Sequence, residues 1–357
     1  MTLSLYKFTN KYSMLKNNQR KSIIITTINK PNKVINKYLD LAKKNKAEYI
    51  IIADKKTPLY KKNFPLVNLQ EQKKLGFSIT RSLPYNSYSR KNIGYLLAMR
   101  NNSKIIIETD DDNYPKNNFF NNLECNKALK ELSGPKWINI LKVFSKKKLL
   151  IWPRGFPLSF VNQNAKIKIK KKNVYSPIQQ RMCDGNPDVD AIYRLTNKFK
   201  NHTFKDDNFS INHNSFCPFN SQNTVWHEVA FPLMYLPSYC TMRATDIWRA
   251  FVAIRILKNY KWNLSFLKST VIQVRNTHDL QDDFNQEISV YKNTINFNKV
   301  LTNLKLSTKY DDMLINIYKC YCKLIENKIL EKKELSILSK WLSDVRKIYP
   351  NFKKVNI

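Results

Sequence analysis

The sequence contains no run of 18 consecutive apolar residues, and residues 1–20 lack the apolar segment of a secretory signal. Its six cysteines show neither the paired spacing of a zinc site nor the density of a disulfide framework. These absences indicate a reducing compartment, because disulfide-rich domains belong to oxidising ones. We therefore expect a cytoplasmic protein, with peripheral contact at a membrane surface as its closest association with lipid.

Acidic residues are scarce: 27 Asp and Glu stand against 62 Lys and Arg, which gives a formal net charge of +35. Such a charge attracts polyanions, namely nucleic acid, an anionic membrane face or phosphorylated substrates. Lysine greatly outnumbers arginine and accompanies abundant Asn and Ile, a composition typical of AT-rich coding sequence. We interpret most of the charge, including the lysines of 166–172, as solvated loops, with membrane contact as the second interpretation. Nucleic-acid binding is not expected, because no motif of that class occurs.

The first part of the chain predicts an α/β fold. At 357 residues, 43% of them hydrophobic, the chain can form a large α/β domain with an appendage, or two domains. The residue pattern predicts a strand over 21–27 (KSIIITT), an amphipathic helix over 34–44 and a strand over 49–53 that ends at Asp54. This order is typical of a parallel sheet. An acidic residue at such a strand end commonly meets a ribose or base, although a simple turn explains Asp54 equally well.

The next predicted helix spans 89–100, with Ser89 as its N-cap. It contains Gly94, and a glycine inside a helix costs about 1 kcal/mol relative to alanine. A glycine at this position therefore suggests close approach to a ligand or to another backbone.

Residues 104–115 read KIIIETDDDNYP, in which a short buried strand runs into Asp110, Asp111 and Asp112. Adjacent carboxylates repel one another unless a cation neutralises them, and open α/β sheets bind ligands at such strand ends. Oxygen-rich sites suit Mg²⁺ or Mn²⁺, which bind a few carboxylates together with substrate phosphates. An isolated triplet would be better explained as a solvated turn. Its place after a strand–helix–strand unit favours a metal site.

Two segments in the middle of the chain carry candidate site residues. Residues 150–158 read LIWPRGFPL, a rigid turn that would hold the Arg154 guanidinium in one direction, which suits a diphosphate partner. The alternative is an ordinary proline turn with an exposed arginine. Further on, Asp188 and Asp190 lie in a polar loop that we expect to begin a strand at Ala191.

A helix is predicted over 243–257, capped by Thr245 or Asp246. Capping and catalysis are compatible, because a carboxylate at a helix start is both fixed and exposed. A strand over 270–274 is followed by His278, which could be a metal ligand or a hydrogen-bonded surface residue.

The end of the chain changes character, with periodic Leu and Ile and no sign of catalytic residues. This pattern predicts amphipathic helices over about 311–328 and 333–349. We therefore divide the chain into an N-terminal extension (1–20), a main domain (21–295) and a helical C-terminal region (296–357).

Several blocks, taken in order, resemble the STELLO-like family of glycosyltransferases and, more distantly, the reversibly glycosylated polypeptides, which are UDP-arabinopyranose mutases. The resemblance covers roughly residues 20–295 and leaves the helical tail outside. The chain departs from the mutases at Ala244-Thr245-Asp246, where they carry two consecutive Asp residues, and its DVDAIYR segment follows the STELLO pattern. The carrying blocks are ETDDDN (108–113), WPRGFP (152–157), DGNPDVDAIYR (184–194), NSQNT (220–224), RATDIW (243–248) and HD (278–279).

The resemblance implies a GT-A-like nucleotide-sugar-binding fold with a mixed, mainly parallel central sheet. It implies that Asp110 and Asp112, at Asp-x-Asp spacing, hold Mn²⁺ or Mg²⁺ on the donor diphosphate, with His278 as a third ligand. The donor-binding residues that it implies, or that we add by position, are Thr26, Thr27, Asp54, Arg90, Asn92, Gly94, Asp111, Asp188 and Arg275.

The expected function is a metal-dependent transfer of sugar from a nucleotide-diphosphate donor, UDP-linked, to a glycan or other acceptor. Asp246 is the candidate general base or binder of the acceptor hydroxyl, Arg154 and Arg275 add positive charge, and Asp190 shapes the sugar or acceptor side. Two alternatives are a nucleotide-sugar mutase that is glycosylated on Arg154, and a non-catalytic scaffold with the same fold. The donor sugar, the stereochemical course and the oligomeric state stay open.

Overall fold

The computed structural model describes residues 20–61, 64–146, 150–198, 201–274 and 279–355. In these ranges the chain forms eleven strands: β1 (Lys21–Thr27), β2 (Glu48–Ala53), β3 (Leu66–Val67), β4 (Ile105–Thr109), β5 (Asn113–Pro115), β6 (Asn126–Ser133), β7 (Lys168–Tyr175), β8 (Ile178–Gly185), β9 (Phe209–Ile211), β10 (Asn223–His227) and β11 (Leu264–Gln273). The α-helices of the same ranges are α1 (Lys33–Lys44), α2 (Leu69–Lys74), α3 (Lys91–Arg100), α4 (Ile140–Phe144), α5 (Ala191–Thr196), α6 (Met242–Asn259), α7 (Leu280–Thr302), α8 (Met313–Glu326) and α9 (Glu334–Ile348).

All eleven strands belong to one mixed sheet with the order β3-β2-β1-β4-β10-β8-β11-β9-β6-β7, and β5 pairs with β11. The pairings orient β1–β4, β7, β8 and β11 in one direction and β5, β6, β9 and β10 in the other. The expected α/β class, with a mixed and mainly parallel sheet of GT-A type, is confirmed.

The predicted strand–helix–strand unit is present as β1, α1 and β2. Ile23, Ile24 and Ile25 of β1 are fully buried because both faces of this part of the sheet are covered. The Asn32 side chain caps α1 by accepting a hydrogen bond from the Ile35 amide at 2.8 Å. Since β1, β2 and β4 are parallel neighbours, their carboxyl ends meet at one edge of the sheet. That edge is where the acidic triplet emerges.

A buried ion pair fixes α6 against β4. The guanidinium of Arg249 donates to both carboxylate oxygens of Glu108, at 2.8 and 2.7 Å, and the Trp226 indole donates to Glu108 Oε1 at 2.8 Å. Arg249 and Glu108 are 1% and 0% exposed. Because Glu108 lies two residues before Asp110, this pair connects the helix that carries Asp246 to the strand that carries the triplet.

Removing one partner of this pair should destabilise the protein strongly. We expect Arg249→Met to lower the free energy of unfolding by about 3–5 kcal/mol, because Glu108 would stay buried without its counter-charge. Urea unfolding measures the change. The surface pair of Lys104 and Glu228, at 2.6 Å, is the matched control: Lys104→Met should cost less than about 1 kcal/mol. Equal losses in the two variants would contradict the argument.

The C-terminal helices pack into the main core. Leu314 and Ile317 of α8 and Trp341 of α9 belong to the same buried cluster as Ile24 and Ile106 of the sheet. The helices predicted over 311–328 and 333–349 are therefore present, slightly shortened. The long helix α7 was not predicted, and it runs across the proposed boundary at residues 295 and 296.

Four local predictions are wrong. Ala191 begins helix α5 instead of a strand, because Asp190 caps that helix. Ser87, not Ser89, caps the 3₁₀ turn that precedes α3. Helix α6 begins at Met242 with Thr241 as its N-cap, so Thr245 and Asp246 lie inside the helix and neither caps it. The lysines of 166–172 are exposed, but most belong to β7, where lysines on an edge strand discourage pairing with other chains.

His227, at the end of β10, makes the free energy of unfolding depend on pH. Burial lowers the pKa of its imidazole to about 3, with Lys127 and Arg181 adding to the effect. The unfolded chain binds the proton below about pH 6.5 and the folded chain does not, so stability falls on acidification through that window. Between pH 7 and pH 5 we expect the free energy of unfolding to change about 2 kcal/mol less favourably in the wild type than in His227→Gln, because the other titrating groups act alike in both proteins. Urea unfolding at both pH values measures this difference, and an unchanged slope in the variant would refute it.

Among the helices that the structure describes, none combines the length and the apolar character that a membrane span requires.

Candidate functional site

A cleft of about 520 Å³ opens at the carboxyl edge of β1, β2 and β4. Its walls also include the 86–90 turn, the start of α6 and the start of α7. Ten of the sequence-predicted site residues line it: Thr26, Thr27, Asp54, Arg90, Asp110, Asp111, Asp112, Arg154, Asp188 and Asp246.

The three carboxylates of the acidic triplet have different hydrogen-bond partners. Asp111 turns toward β1, where its Oδ2 accepts hydrogen bonds from the Thr27 hydroxyl and, at 2.9 Å, from Asn29. Asp110 turns the other way, and its Oδ1 accepts from the Tyr88 hydroxyl at 2.8 Å and from Lys91 Nζ at 3.1 Å. Burial raises the pKa of Asp110, and the neighbouring lysine partly offsets this.

Of the three carboxylates, that of Asp112 has the fewest hydrogen-bond donors among the described residues. Gln273 donates to its Oδ2 at 2.8 Å, whereas its buried Oδ1 has no hydrogen-bond partner among the described residues. Burial, with the charge of Asp110 added, raises the pKa of Asp112 to about 7. A buried carboxylate oxygen without a donor is costly unless a ligand or cation meets it.

The triplet fits a divalent cation that is shared with a phosphate. In the described ranges no group of three or more His, Cys, Asp or Glu side chains is arranged to hold a metal ion by itself. Mg²⁺ and similar ions, however, are commonly bound by one or two carboxylates together with substrate phosphates. Asp112 Oδ1 and the cleft-facing Asp110 supply such a partial set, so the residues present fit Mn²⁺ or Mg²⁺.

The far end of the cleft is closed by Asp54 and the turn that precedes α3. Asp54 Oδ2 accepts a hydrogen bond from the Ser87 amide at 3.0 Å, and its Oδ1 accepts from the Lys55 amide at 2.6 Å. Arg90 lines the cleft, but its guanidinium bonds to Gln72 and, at 3.3 Å, to the Leu83 carbonyl. Arg90 therefore holds this turn in place, and its guanidinium is not directed into the cleft toward a donor, as the sequence had suggested.

The Arg154 guanidinium is also directed inward. Its Nη1 and Nη2 donate to the two oxygens of Asp246 at 2.8 and 3.0 Å, and its Nε donates to Asp188 at 3.1 Å. The remaining two donors meet the Arg243 carbonyl and Asp188, so all five N–H groups are used within the protein. Arg154 thus orients two carboxylates of the cleft, contrary to the expectation of a guanidinium presented to diphosphate.

The local sequence explains this placement of Arg154. Gly155 adopts φ +82°, and a Cβ atom there would lie 2.6 Å from Ile247 Cγ2 of α6. Only glycine therefore allows the turn to pack directly against the helix that carries Asp246. The prolines around it fix the remaining backbone, which leaves Arg154 facing Asp246.

Asp246 is held by two elements besides its own helix. Its Oδ2 accepts hydrogen bonds from the amide and the hydroxyl of Ser221, each at 3.1 Å, in addition to the Arg154 contact. Its Oδ1 accepts the single bond from Arg154 Nη1. Asp246 is only 3% exposed, yet it forms part of the cleft wall.

Three predicted site residues lie away from the cleft. Asn92 exchanges hydrogen bonds of 2.9 Å with the Leu236 backbone. Gly94 faces the sheet, where a Cβ atom would lie 2.7 Å from Ile24 Cγ2, so the close approach is to a strand and not to a ligand. Asp190 is fully buried as the cap of α5, and burial raises its pKa to about 7. Arg275 and His278 lie outside the described residues.

Sequence reasoning also missed residues that the structure brings to the site. Tyr88, Lys91 and Ser221 bond to the carboxylates of Asp110 and Asp246, and Gln273 bonds to Asp112. Ser221 lies in the NSQNT block and Gln273 in a predicted strand, so position gave a weak signal for both. No sequence signal marked Lys91, because nothing distinguishes it from the many other lysines of this chain.

Comparisons with known proteins find similarity to the STELLO glycosyltransferases. The family model of the STELLO glycosyltransferases matches residues 243–356, a range that includes Asp246 and also the C-terminal helices that our resemblance had left out. Two Arabidopsis thaliana proteins, probable glycosyltransferase STELLO2 and probable glycosyltransferase STELLO1, are each 28% identical to the chain over 218 residues. Each alignment covers 54% of this chain. It covers only 28% of STELLO2 and 27% of STELLO1, so the chain spans little more than a quarter of the length of these relatives.

Proposed function

We propose that this STELLO-like chain is a glycosyltransferase that transfers a sugar from a UDP-linked donor to a hydroxyl group of a glycan acceptor. The observation that carries the proposal is the cleft at the carboxyl edge of the sheet, where Asp112 Oδ1 is buried without a donor among the described residues. A divalent cation that arrives with the donor diphosphate would satisfy that oxygen and offset part of the negative charge of the triplet.

The cleft has room and suitable walls for the donor. Thr26, Thr27 and Asp54 form the end beyond the triplet, which suits a nucleoside because hydroxyl and carboxylate groups there can bind ribose and base. Asp111 of the triplet bonds to Thr27, whereas Asp110 is linked through Tyr88 and Ser221 to Asp246, so the triplet lies between the two ends of the cleft. The donor would therefore lie with its diphosphate at the triplet and its sugar toward Asp188.

The metal belongs to this proposal. Asp112 and Asp110 would hold Mn²⁺ or Mg²⁺, which acts as a Lewis acid and neutralises charge on the departing diphosphate. The chain's own contribution is to fix those carboxylates: Gln273 orients Asp112, and Tyr88 and Lys91 orient Asp110.

Transfer also requires the acceptor hydroxyl to lose its proton. The bond from the sugar C1 to the acceptor oxygen forms as the bond from C1 to the diphosphate oxygen breaks, and the hydroxyl proton must pass to a nearby base. Asp246 is our candidate for that base. Its Oδ1 accepts one hydrogen bond, whereas Oδ2 accepts three.

The mutase alternative receives no support from the geometry. Glycosylation of Arg154 would need a free guanidinium nitrogen, and all five N–H donors of that residue are used in the buried contacts with Asp246, Asp188 and the Arg243 carbonyl.

Incubation with isotopically labelled UDP-sugars, Mn²⁺ and an oligosaccharide panel tests the proposed function. We expect labelled oligosaccharide and free UDP, detected by mass spectrometry. Label on Arg154, or a ring-isomerised UDP-sugar formed without acceptor, would show mutase chemistry instead. If the protein binds neither metal nor any nucleotide sugar, the scaffold alternative replaces the proposal.

A further inference from the structure

Lys91 is a fully buried lysine beside the acidic triplet. Its ammonium group donates to the Thr109 carbonyl at 2.7 Å, to the Tyr88 hydroxyl at 2.8 Å and to Asp110 Oδ1 at 3.1 Å. An ammonium group has three donors, and each of them has a partner here. The side chain is therefore rigidly fixed, with its positive charge directed at one end of the triplet.

Local helix stability does not explain this lysine. Lys91 is the first residue of α3, and the positive end of the helix dipole disfavours a cation at that position. Burial of an ammonium group is also costly unless it is paired. The unfavourable position is offset by Asp110 and by the charge of the triplet as a whole.

Charge balance indicates what the lysine does. With all three carboxylates ionised the triplet carries a formal charge of −3, and the fixed ammonium group of Lys91 reduces the sum to −2, so the site attracts a cation less strongly than the triplet alone would. Lys91 and Tyr88 both bond to Asp110 Oδ1, whereas Asp112 Oδ1 has no partner among the described residues. The fixed cation thus lies at Asp110 and leaves Asp112 available.

We propose that Lys91 is a resident cation of the acidic triplet, which restrains the affinity of this site for divalent metal and makes Asp112 the principal metal ligand. The proposal rests on the donor site described above. A site restrained in this way binds the metal firmly only when a diphosphate adds its own oxygens. The metal can then leave with the product, and it does not remain bound between turnovers.

Binding of Mn²⁺ alone to the full chain, measured by electron paramagnetic resonance without nucleotide, tests the proposal. We expect Lys91→Met to bind Mn²⁺ at least about tenfold more tightly than wild type, because removing a nearby positive charge strengthens the attraction for a cation. A merely structural role predicts the opposite, since a disordered site binds metal less well. Lys104→Met is the matched control, because it removes the same charge from a surface ion pair at the other end of β4. That control should leave the affinity unchanged.

A second variant guards against failure to fold. Lys91→Gln keeps a donor for the Thr109 carbonyl and should also tighten Mn²⁺ binding. If wild type binds no Mn²⁺ without nucleotide and the Lys91 variants do, the inference about Lys91 stands. If wild type also binds no Mn²⁺ when UDP is added, the metal dependence proposed for the enzyme fails, while the inference about Lys91 still stands. If neither Lys91 variant binds Mn²⁺ more tightly than wild type, the inference is overturned.

Discussion

Asp112→Asn lowers the affinity for a UDP-sugar in the presence of Mn²⁺ by about 100-fold or more, which is the first large effect that we expect. The substitution keeps the shape of the side chain and its contact with Gln273, but it removes the charge of the oxygen that has no partner among the described residues. On the proposed function, the metal would then lose the carboxylate that holds it on the donor diphosphate, and the neutral amide could not replace that charge. Isothermal titration calorimetry with and without Mn²⁺ measures the loss.

The neighbouring carboxylate provides the control. Asp111→Asn makes the same chemical change one residue away, where Thr27 and Asn29 already occupy the carboxylate oxygen. We expect its Mn²⁺-dependent affinity to fall by less than about tenfold. Wild-type affinity in the Asp112 variant, or an equal loss in both variants, would contradict the assignment of Asp112 as the metal ligand.

The second large effect concerns Asp246. We expect Asp246→Asn to lower the turnover number by about 10²–10⁴-fold, because an amide cannot take the proton of the acceptor hydroxyl. Affinity for the UDP-sugar should change by less than about threefold, since the donor is held elsewhere in the cleft. Steady-state transfer kinetics, combined with calorimetric titration of the donor, separates these two quantities.

Stability has to be checked in the same variant, because Asp246 pairs with buried Arg154. Asp283→Asn is a suitable control: Asp283 is a buried carboxylate that pairs with Arg243 at 3.3 Å and lines the same cleft. We expect that control to retain turnover within about threefold of wild type. If Asp246→Asn transfers sugar as fast as this control does, Asp246 is not the base.

Much of the fold around the site could be predicted because local pattern dominates there. β1 and β4 are runs of β-branched residues that are buried on both faces, and α1 has a clear apolar stripe. Each of these elements can therefore be predicted from a short stretch of sequence. The 104–115 segment was assigned to a strand end for the same reason. Strands β8 and β10 were missed because they contain polar residues that are buried, such as Gln179 and Asn223. The hydrogen bonds that make this burial possible come from distant segments, so the sequence pattern does not show it.

The direction in which site side chains point could not be predicted. Arg154 was expected to face a diphosphate, but Asp188 and Asp246, which lie 34 and 92 residues further along the chain, accept four of its five N–H donors. The role of Lys91 could not be predicted from the sequence, because it depends on the burial of this one lysine next to Asp110 in the folded chain. Residue types and spacing located the site, whereas the charge pairing within it depends on contacts between distant segments.

The proposed activity requires a donor site that binds both a nucleotide and a metal. Thermal unfolding of the full chain with UDP and Mn²⁺, separately and together, tests this most directly. We expect the midpoint to rise by about 2–5 °C only when both are present, and not at all in Asp112→Asn, because a ligand stabilises only the state that binds it. An equal rise with UDP alone, or no rise under any condition, would contradict the account.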